Sequence, residues 1–296
     1  MGIGIYPSGD KNYLGMIGMN GTYMANSAIN KCDLLISLGV SFSNRSTCRS
    51  IDFAPKSKIV SINISDIQND FELKIKSDVK AFLLDFLKTE MPSNYYKNWN
   101  VLLKHLEKEN ICEHNDSLMD SPYVLKTISE FTGKREPVVV TDVGQHQMLT
   151  AQFFTFNKPR KFITSGGMGT MGFGLPAAIG VYLASPGSLV LNITGDGSFQ
   201  MNLQELATCR EHNIPIKIII LNNGYLGMVR QLQEKIYQKT YQVKMTNPDF
   251  TKIAEAYDLY AIRVAKKSEL IPALEKACKY DGTVIIDIKI VSDETI

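Results

Sequence analysis

Cysteine is scarce and scattered. The five residues (Cys32, Cys48, Cys112, Cys209, Cys278) include no C-x-x-C pair, which argues for reduced thiols in the core or at the surface of a cytoplasmic protein and excludes a disulfide framework. No apolar run reaches the length of a membrane span, so a membrane-spanning helix is not expected. The opening residues, "MGIGIYPSGDKNYLGM", lack a charged head followed by an apolar stretch, so a signal peptide is not expected. Charge of one sign is also missing. The 32 basic and 30 acidic residues leave a net charge of +2 and form no basic block, which disfavours nucleic acid and anionic membranes as partners.

What is present is apolar material. Hydrophobic residues make up 44% of the 296 and charged residues 21%, a composition of packed globular domains, with length enough for two. Short apolar runs ending in polar or glycine turns read as buried parallel strands. Two lie early, "DLLISLGV" (33–40) and "KIVSINI" (58–64), with helices expected over 22–32 and 78–90. Between Met91 and Ser121 the pattern turns charged and weakly periodic, as in "YYKNWNVLLKHLEKEN", and reads as a surface linker helix. Six more strand runs follow: 137–142, 161–165, 189–194, 215–222, 259–264 and 283–290. Helical stretches at 145–154, 172–184, 200–212, 249–257 and 267–279 separate them. The expected fold class is α/β: a parallel sheet with helices on both faces, preceded by a partial α/β domain. The expected domains are 1–90, the linker 91–121, and 122–296.

Such sheets bind ligands at the carboxyl ends of their strands. The unusual loops fall there: "DVGQHQ", "GGMGTMG", "GDGS" and "NNGY" follow four successive strands. Asp196 ends one strand and Asn223 the next. If those strands are neighbours, their ends lie about 5 Å apart. A carboxylate and an amide oxygen could then grip one cation. With only oxygen ligands offered, the cation should be hard, Mg²⁺ or Ca²⁺. Gly197 and Ser198 lead toward the helix expected from 200, whose free N–H groups would seat a phosphate. Asp-Gly and Asn-Asn-Gly are each also ordinary turns.

The spacing of G-D-G and N-N, together with "TDVGQHQM", "FITSGGMGTMGFGLPAAIG", "GDGSFQMNLQEL" and "ILNNGYLGMVRQ", resembles the cofactor-binding domain of the acetolactate synthase (acetohydroxyacid synthase) large subunit, a thiamine-diphosphate-dependent family. "MGIGIYP…LGMIGMNGTYMAN" and "DLLISLGVSF" resemble that family's central, FAD-type domain. The resemblance implies a Mg²⁺ ion held by Asp196, Asn223 and the Tyr225 carbonyl, and a diphosphate held by Gln145, His146, Gly197 and Ser198. It makes Met171 the apolar residue that bends the cofactor and Gly169 the carbonyl that receives its aminopyrimidine. Met201 and Met228 are candidate cofactor contacts; ordinary core packing is the competing reading for both. The implied activity decarboxylates pyruvate and joins the two-carbon unit to a second 2-oxo acid, giving a 2-acetolactate in branched-chain amino acid biosynthesis. Leu232 stands where relatives favouring 2-oxobutyrate carry tryptophan.

Against the family pattern, the N-terminal domain with its cofactor-activating glutamate is expected to be missing, along with the closing tail. A partner chain would then have to supply that domain, in a homo- or hetero-oligomer, with a regulatory subunit as a further candidate partner. The FAD site is worn: "SFSNRS" retains Arg45 alone, and "NISD" (63–66) replaces an Asp-rich strand end, so FAD is not favoured. Three alternatives stay open. One is a non-catalytic cofactor-binding remnant, and another is a different thiamine-diphosphate carboligase or decarboxylase. The third is a nucleotide-binding dehydrogenase, because "GMGTMG" (167–172) satisfies G-x-G-x-x-G.

Overall fold

The computed structural model describes residues 2–47, 53–66, 71–90, 96–109 and 119–292. Cys48, Cys112 and the flanks of the expected linker helix lie outside these. The chain divides into a smaller unit, Leu14–His114, and a larger unit made of Met1–Tyr13 with Asn115–Ile296.

The smaller unit contains α1 (Tyr23–Lys31), β1 (Leu34–Leu38), α2 (Asn44–Thr47), β2 (Lys58–Asn63), β3 (Leu73–Lys76), α3 (Val79–Phe86) and α4 (Lys97–Glu109). Thr22 and Asp78 start α1 and α3 by accepting the N–H groups of Ala25 and Ala81, which satisfies donors that a helix start leaves orphaned. The strands form a parallel sheet in the order β1-β2-β3. Its core is Phe42, Ala54 and Ile59, with Leu35, Phe53 and Phe71 packed on it. The expectation of a buried first strand needs correction: Leu34, Ile36 and Leu38 are exposed. They share one face of a strand at the sheet edge, and in parallel sheets only a covered face is buried. β3 was not expected; its Lys-interrupted "LKIK" gives too short an apolar run.

The larger unit continues with α5 (Ser121–Thr132), β4 (Val138–Thr141), α6 (Gln145–Phe153), β5 (Phe162–Thr164), α7 (Gly174–Ala184), β6 (Val190–Gly195), α8 (Asp196–Phe199), α9 (Leu206–Glu211), β7 (Lys217–Asn222), α10 (Gly227–Tyr237), α11 (Phe250–Ala256), β8 (Tyr260–Val264), α12 (Lys267–Lys279) and β9 (Val284–Lys289). All six strands are parallel, in the order β5-β4-β6-β7-β9-β8. The α/β expectation with helices on both faces is met. Successive residues feed opposite layers. Val139, Leu191, Ile219 and Ile286 join α5, α6 and α12 in one core, while Val140, Val190, Ile218, Ile220 and Ile285 join α7, α9 and α11 in the other. Both faces being covered explains why these strands read as continuous apolar runs. Each fully buried Ile or Leu contributes about 1.5–3 kcal/mol.

The crossover from β6 to β7 departs from the expected single helix over 200–212. It breaks into α8, a 3₁₀ turn at Leu203–Glu205, and α9. Asn202 leaves helical geometry at φ −138°, and its side chain donates to the Gly172 carbonyl at 2.8 Å. A residue needed by the neighbouring loop therefore interrupts the helix.

Candidate functional site

The chain runs from β4 to β5 on one side, then crosses back to β6 on the other. This is the switch point at which open parallel sheets bind ligands. A cleft of about 520 Å³, counted to its open mouth, lies there. Its walls are Val143–His146, Met171, Gly195–Ser198, Asn223 and Tyr225–Val229, with Ser121, Leu221 and Ile290.

β6 and β7 are neighbours, with Gly195 opposite Leu221, so Asp196 and Asn223 emerge at adjacent strand ends. Asp196 is buried. Its Oδ2 accepts the Gly224 N–H at 2.9 Å and the Asn247 amide at 2.5 Å; its Oδ1 accepts the Gly197 N–H at 3.1 Å. Burial pushes this carboxyl above its ordinary value, while those N–H groups oppose the rise. A buried carboxylate of this kind is relieved by a cation. The Asn223 Oδ1 accepts the Tyr225 N–H at 2.9 Å, closing a side-chain turn. Residues 243–245 strap this loop, with Leu226 N–H donating to Val243 and Met245 N–H to the Gly224 carbonyl. Those bonds flank Tyr225 and leave its carbonyl out of the pair. Among the described residues no three His, Cys, Asp or Glu side chains converge. A cation here would need amide, main-chain and ligand oxygens beside Asp196, which suits Mg²⁺.

His146 stands in the first turn of α6, buried, with its Nε2 unpartnered. Glycines make its space. A Cβ at Gly144 or Gly195 would lie 2.9 Å from the imidazole, and one at Gly227 would lie 1.8 Å from the Gln145 Oε1. Burial pulls His146 down to about 4, against the pull of the Asp142 charge. The ring is thus neutral near pH 7, with one nitrogen left for a ligand. An orphaned ring nitrogen, glycines that clear the walls and a buried carboxylate fit a bound diphosphate and its metal. Ser198 already uses its hydroxyl, donating to the Val143 carbonyl at 2.7 Å. Gly197 lies inside the first turn of α8, because that turn begins at Asp196 rather than at 200.

Met171 sits on a turn held by Asp142. That buried carboxylate accepts the N–H groups of Val143 and Gly172 at 2.8 Å and of Gly174 at 3.0 Å. Gly169 and Gly172 adopt φ of +65° and +89° in the same loop, where a side chain would be strained.

The cleft thus brings together Gln145, His146, Met171, Asp196, Gly197, Ser198, Asn223, Tyr225 and Met228. Gly169, Met201 and Leu232 stand outside its walls, the last two exposed. Arg45 belongs to the smaller unit, exposed in α2, with its carbonyl accepting the Met19 N–H. Sequence reasoning missed Asp142, Ser121 and Asn247. Asp142 was visible as the acid opening "DVGQHQ"; nothing local marked the other two.

Residues 142–288 match the family model "Thiamine pyrophosphate enzyme, C-terminal TPP binding domain", and residues 1–86 match "Thiamine pyrophosphate enzyme, central domain". The chain belongs to the thiamine pyrophosphate enzyme family, which sets aside the dehydrogenase alternative. Within that family it is similar to acetolactate synthase large subunits. It is 39% identical to acetolactate synthase 1, chloroplastic, of Zea mays, over 97% of this chain and 48% of that protein. It is 38% identical to the acetolactate synthase isozyme 2 large subunit of Escherichia coli, over 98% of this chain and 53% of that protein. The Haemophilus influenzae acetolactate synthase large subunit is also 38% identical, over 99% of this chain and 54% of that protein. The chain spans about half the length of these curated relatives. No helix among the described residues is long and apolar enough to cross a membrane.

Proposed function

We propose that this chain is the diphosphate- and metal-gripping part of an acetolactate synthase, working on pyruvate and a second 2-oxo acid with thiamine diphosphate and Mg²⁺. When bound, the cofactor supplies an electron sink for decarboxylation. The chain's own residues would do the rest. Asp196, Asn223 and the Tyr225 carbonyl would hold the cation. His146, protonated at Nε2 once the diphosphate charge offsets its burial, would donate to a diphosphate oxygen, with Gln145 beside it. Met171 would press an apolar side chain against the ring end of the cofactor, its turn fixed by Asp142. Met228 and Val229 would keep water from that wall. No glutamate among the described residues lines the cleft, so the acid–base partner for the pyrimidine would come from outside these residues.

The observation that carries this reading is the convergence of a buried carboxylate and a buried, unpartnered imidazole at one strand edge. The test is calorimetric titration with thiamine diphosphate and Mg²⁺. Asp196→Ala should abolish Mg²⁺-dependent binding, since one hard ligand and its charge leave together. Unchanged affinity would remove the metal assignment.

A further inference from the structure

We infer that Asn247 is a positioning residue that aims the Asp196 carboxylate at the cation, anchored by the first asparagine of the Asn222–Asn223 pair. The inference rests on the metal reading above. Asn247 lies on the connection between α10 and α11, just before the Asp249 that caps α11. Its amide nitrogen donates to Asp196 Oδ2 at 2.5 Å and to Asn222 Oδ1 at 3.1 Å, and its Oδ1 accepts from Gln200 at 3.1 Å. Gln200 uses the same nitrogen on the Asp196 carbonyl at 3.0 Å. The amide orientation is therefore forced. Turned over, the Asn247 oxygen would face a carboxylate and its NH₂ would face a donor.

Asn222 is itself held from behind. It donates to Asp287 Oδ1 at 2.8 Å and accepts from Lys289 at 3.2 Å. Buried Asp287 meets Arg263, at 3.4 Å, from the next strand. The chain Asp196–Asn247–Asn222–Asp287–Arg263 thus crosses β7, β9 and β8 beneath the cleft. Two side-by-side asparagines divide the labour: Asn223 turns toward the cleft, Asn222 into this network. The consequence falls on the two carboxylate oxygens. Oδ2 carries two donors from outside its own turn, Asn247 and Gly224. Oδ1 carries the N–H of adjacent Gly197 and is the oxygen left to the cation. Groups that orient a metal ligand are worth about 10–100-fold in metal affinity.

The experiment measures Mn²⁺ binding to the purified chain by electron paramagnetic resonance, with inorganic pyrophosphate present, and unfolding in metal-free buffer. Asn247→Ala should bind Mn²⁺ about 10–100-fold more weakly and, at saturation, give a bound-ion spectrum unlike wild type. Gln200→Ala, which frees the amide to turn, should shift affinity the same way by less. Asn247→Ser is read by the same criteria if the alanine variant does not fold. A folded Asn247 variant with lowered stability but wild-type Mn²⁺ affinity and spectrum would mark a merely structural residue and overturn the inference. Asp196→Ala separates the two levels. If it loses the ion while Asn247→Ala keeps it, this inference fails and the metal reading stands. If it keeps the ion, both fail.

Discussion

The Asp142 carboxylate accepts the Gly172 N–H at 2.8 Å, across a sequence separation of 30 residues. One buried acid at the end of β4 thereby fixes the turn that carries Met171, and it also accepts from Val143 and Gly174. Asp142→Ala would strand these donors. An unsatisfied buried donor costs about 1–3 kcal/mol, so the variant should lose at least that in denaturant unfolding. Asp142→Asn keeps one acceptor oxygen and should lose less. Equal stability of all three proteins would refute the role.

His146 gives a pH signature. Its native pKa is pulled from 6.5 to about 4. Between those values the unfolded chain takes up a proton that the native chain does not. Stability therefore falls as pH drops through this window, by at most about 1.4 kcal/mol per pH unit. Above the window both states are neutral at this residue, and its contribution is constant. His146→Gln should flatten that part of the curve. Unfolding of both proteins from pH 7 to 4 checks it, and parallel curves would contradict it.

Leu232 bears on acceptor choice. It sits four residues after Met228 on α10, hence on the same helical face, and Met228 lines the cleft. An indole there would offer flat apolar contact to a longer alkyl group. Such a contact is worth about 1–3 kcal/mol in selectivity. In a reconstituted enzyme Leu232 should favour pyruvate as acceptor, and Leu232→Trp should shift products toward acetohydroxybutyrate by about 10–200-fold. Competition between pyruvate and 2-oxobutyrate, with both products measured, reads this out; an unchanged product ratio would count against it.

The central strands of the larger unit were legible because both faces are covered, so runs such as "IIIL" stay apolar throughout. α5 and α10 were not. α10 has no buried residue, and its apolar side chains follow a turn that drew attention to itself as a ligand loop. The carboxylate, imidazole and asparagine of the cleft were legible from short loops at strand ends. Asn247 was not, because it reaches Asp196 from 51 positions away along the chain. Its role comes from a strap folding back over the loop, and no local spacing encodes that. The broken crossover was hidden for the same reason: Asn202 serves Gly172, a partner distant in sequence.

The last prediction is that this chain alone does not turn over pyruvate. Among the described residues no glutamate lines the cleft. A missing positioned acid–base group typically lowers rate about 10²–10⁴-fold, and an open cleft admits water to a reaction that needs it excluded. Val229 lines the cleft, and it and Leu232 and Ile236, on α10, are exposed at 45%, 56% and 58%, with Met201 exposed at 54%. Apolar side chains gathered beside a cleft favour a covering partner, and without one they favour self-association. The measurement supplies thiamine diphosphate, Mg²⁺ and pyruvate to the purified chain, then assays acetolactate with and without a separately expressed N-terminal half. Activity only on mixing is the expected result, with the chain's self-association reduced in light scattering. Robust turnover by the chain alone would show that it holds its own acid–base group. No turnover in either arm, with thiamine diphosphate still bound, would favour a non-catalytic remnant over a synthase.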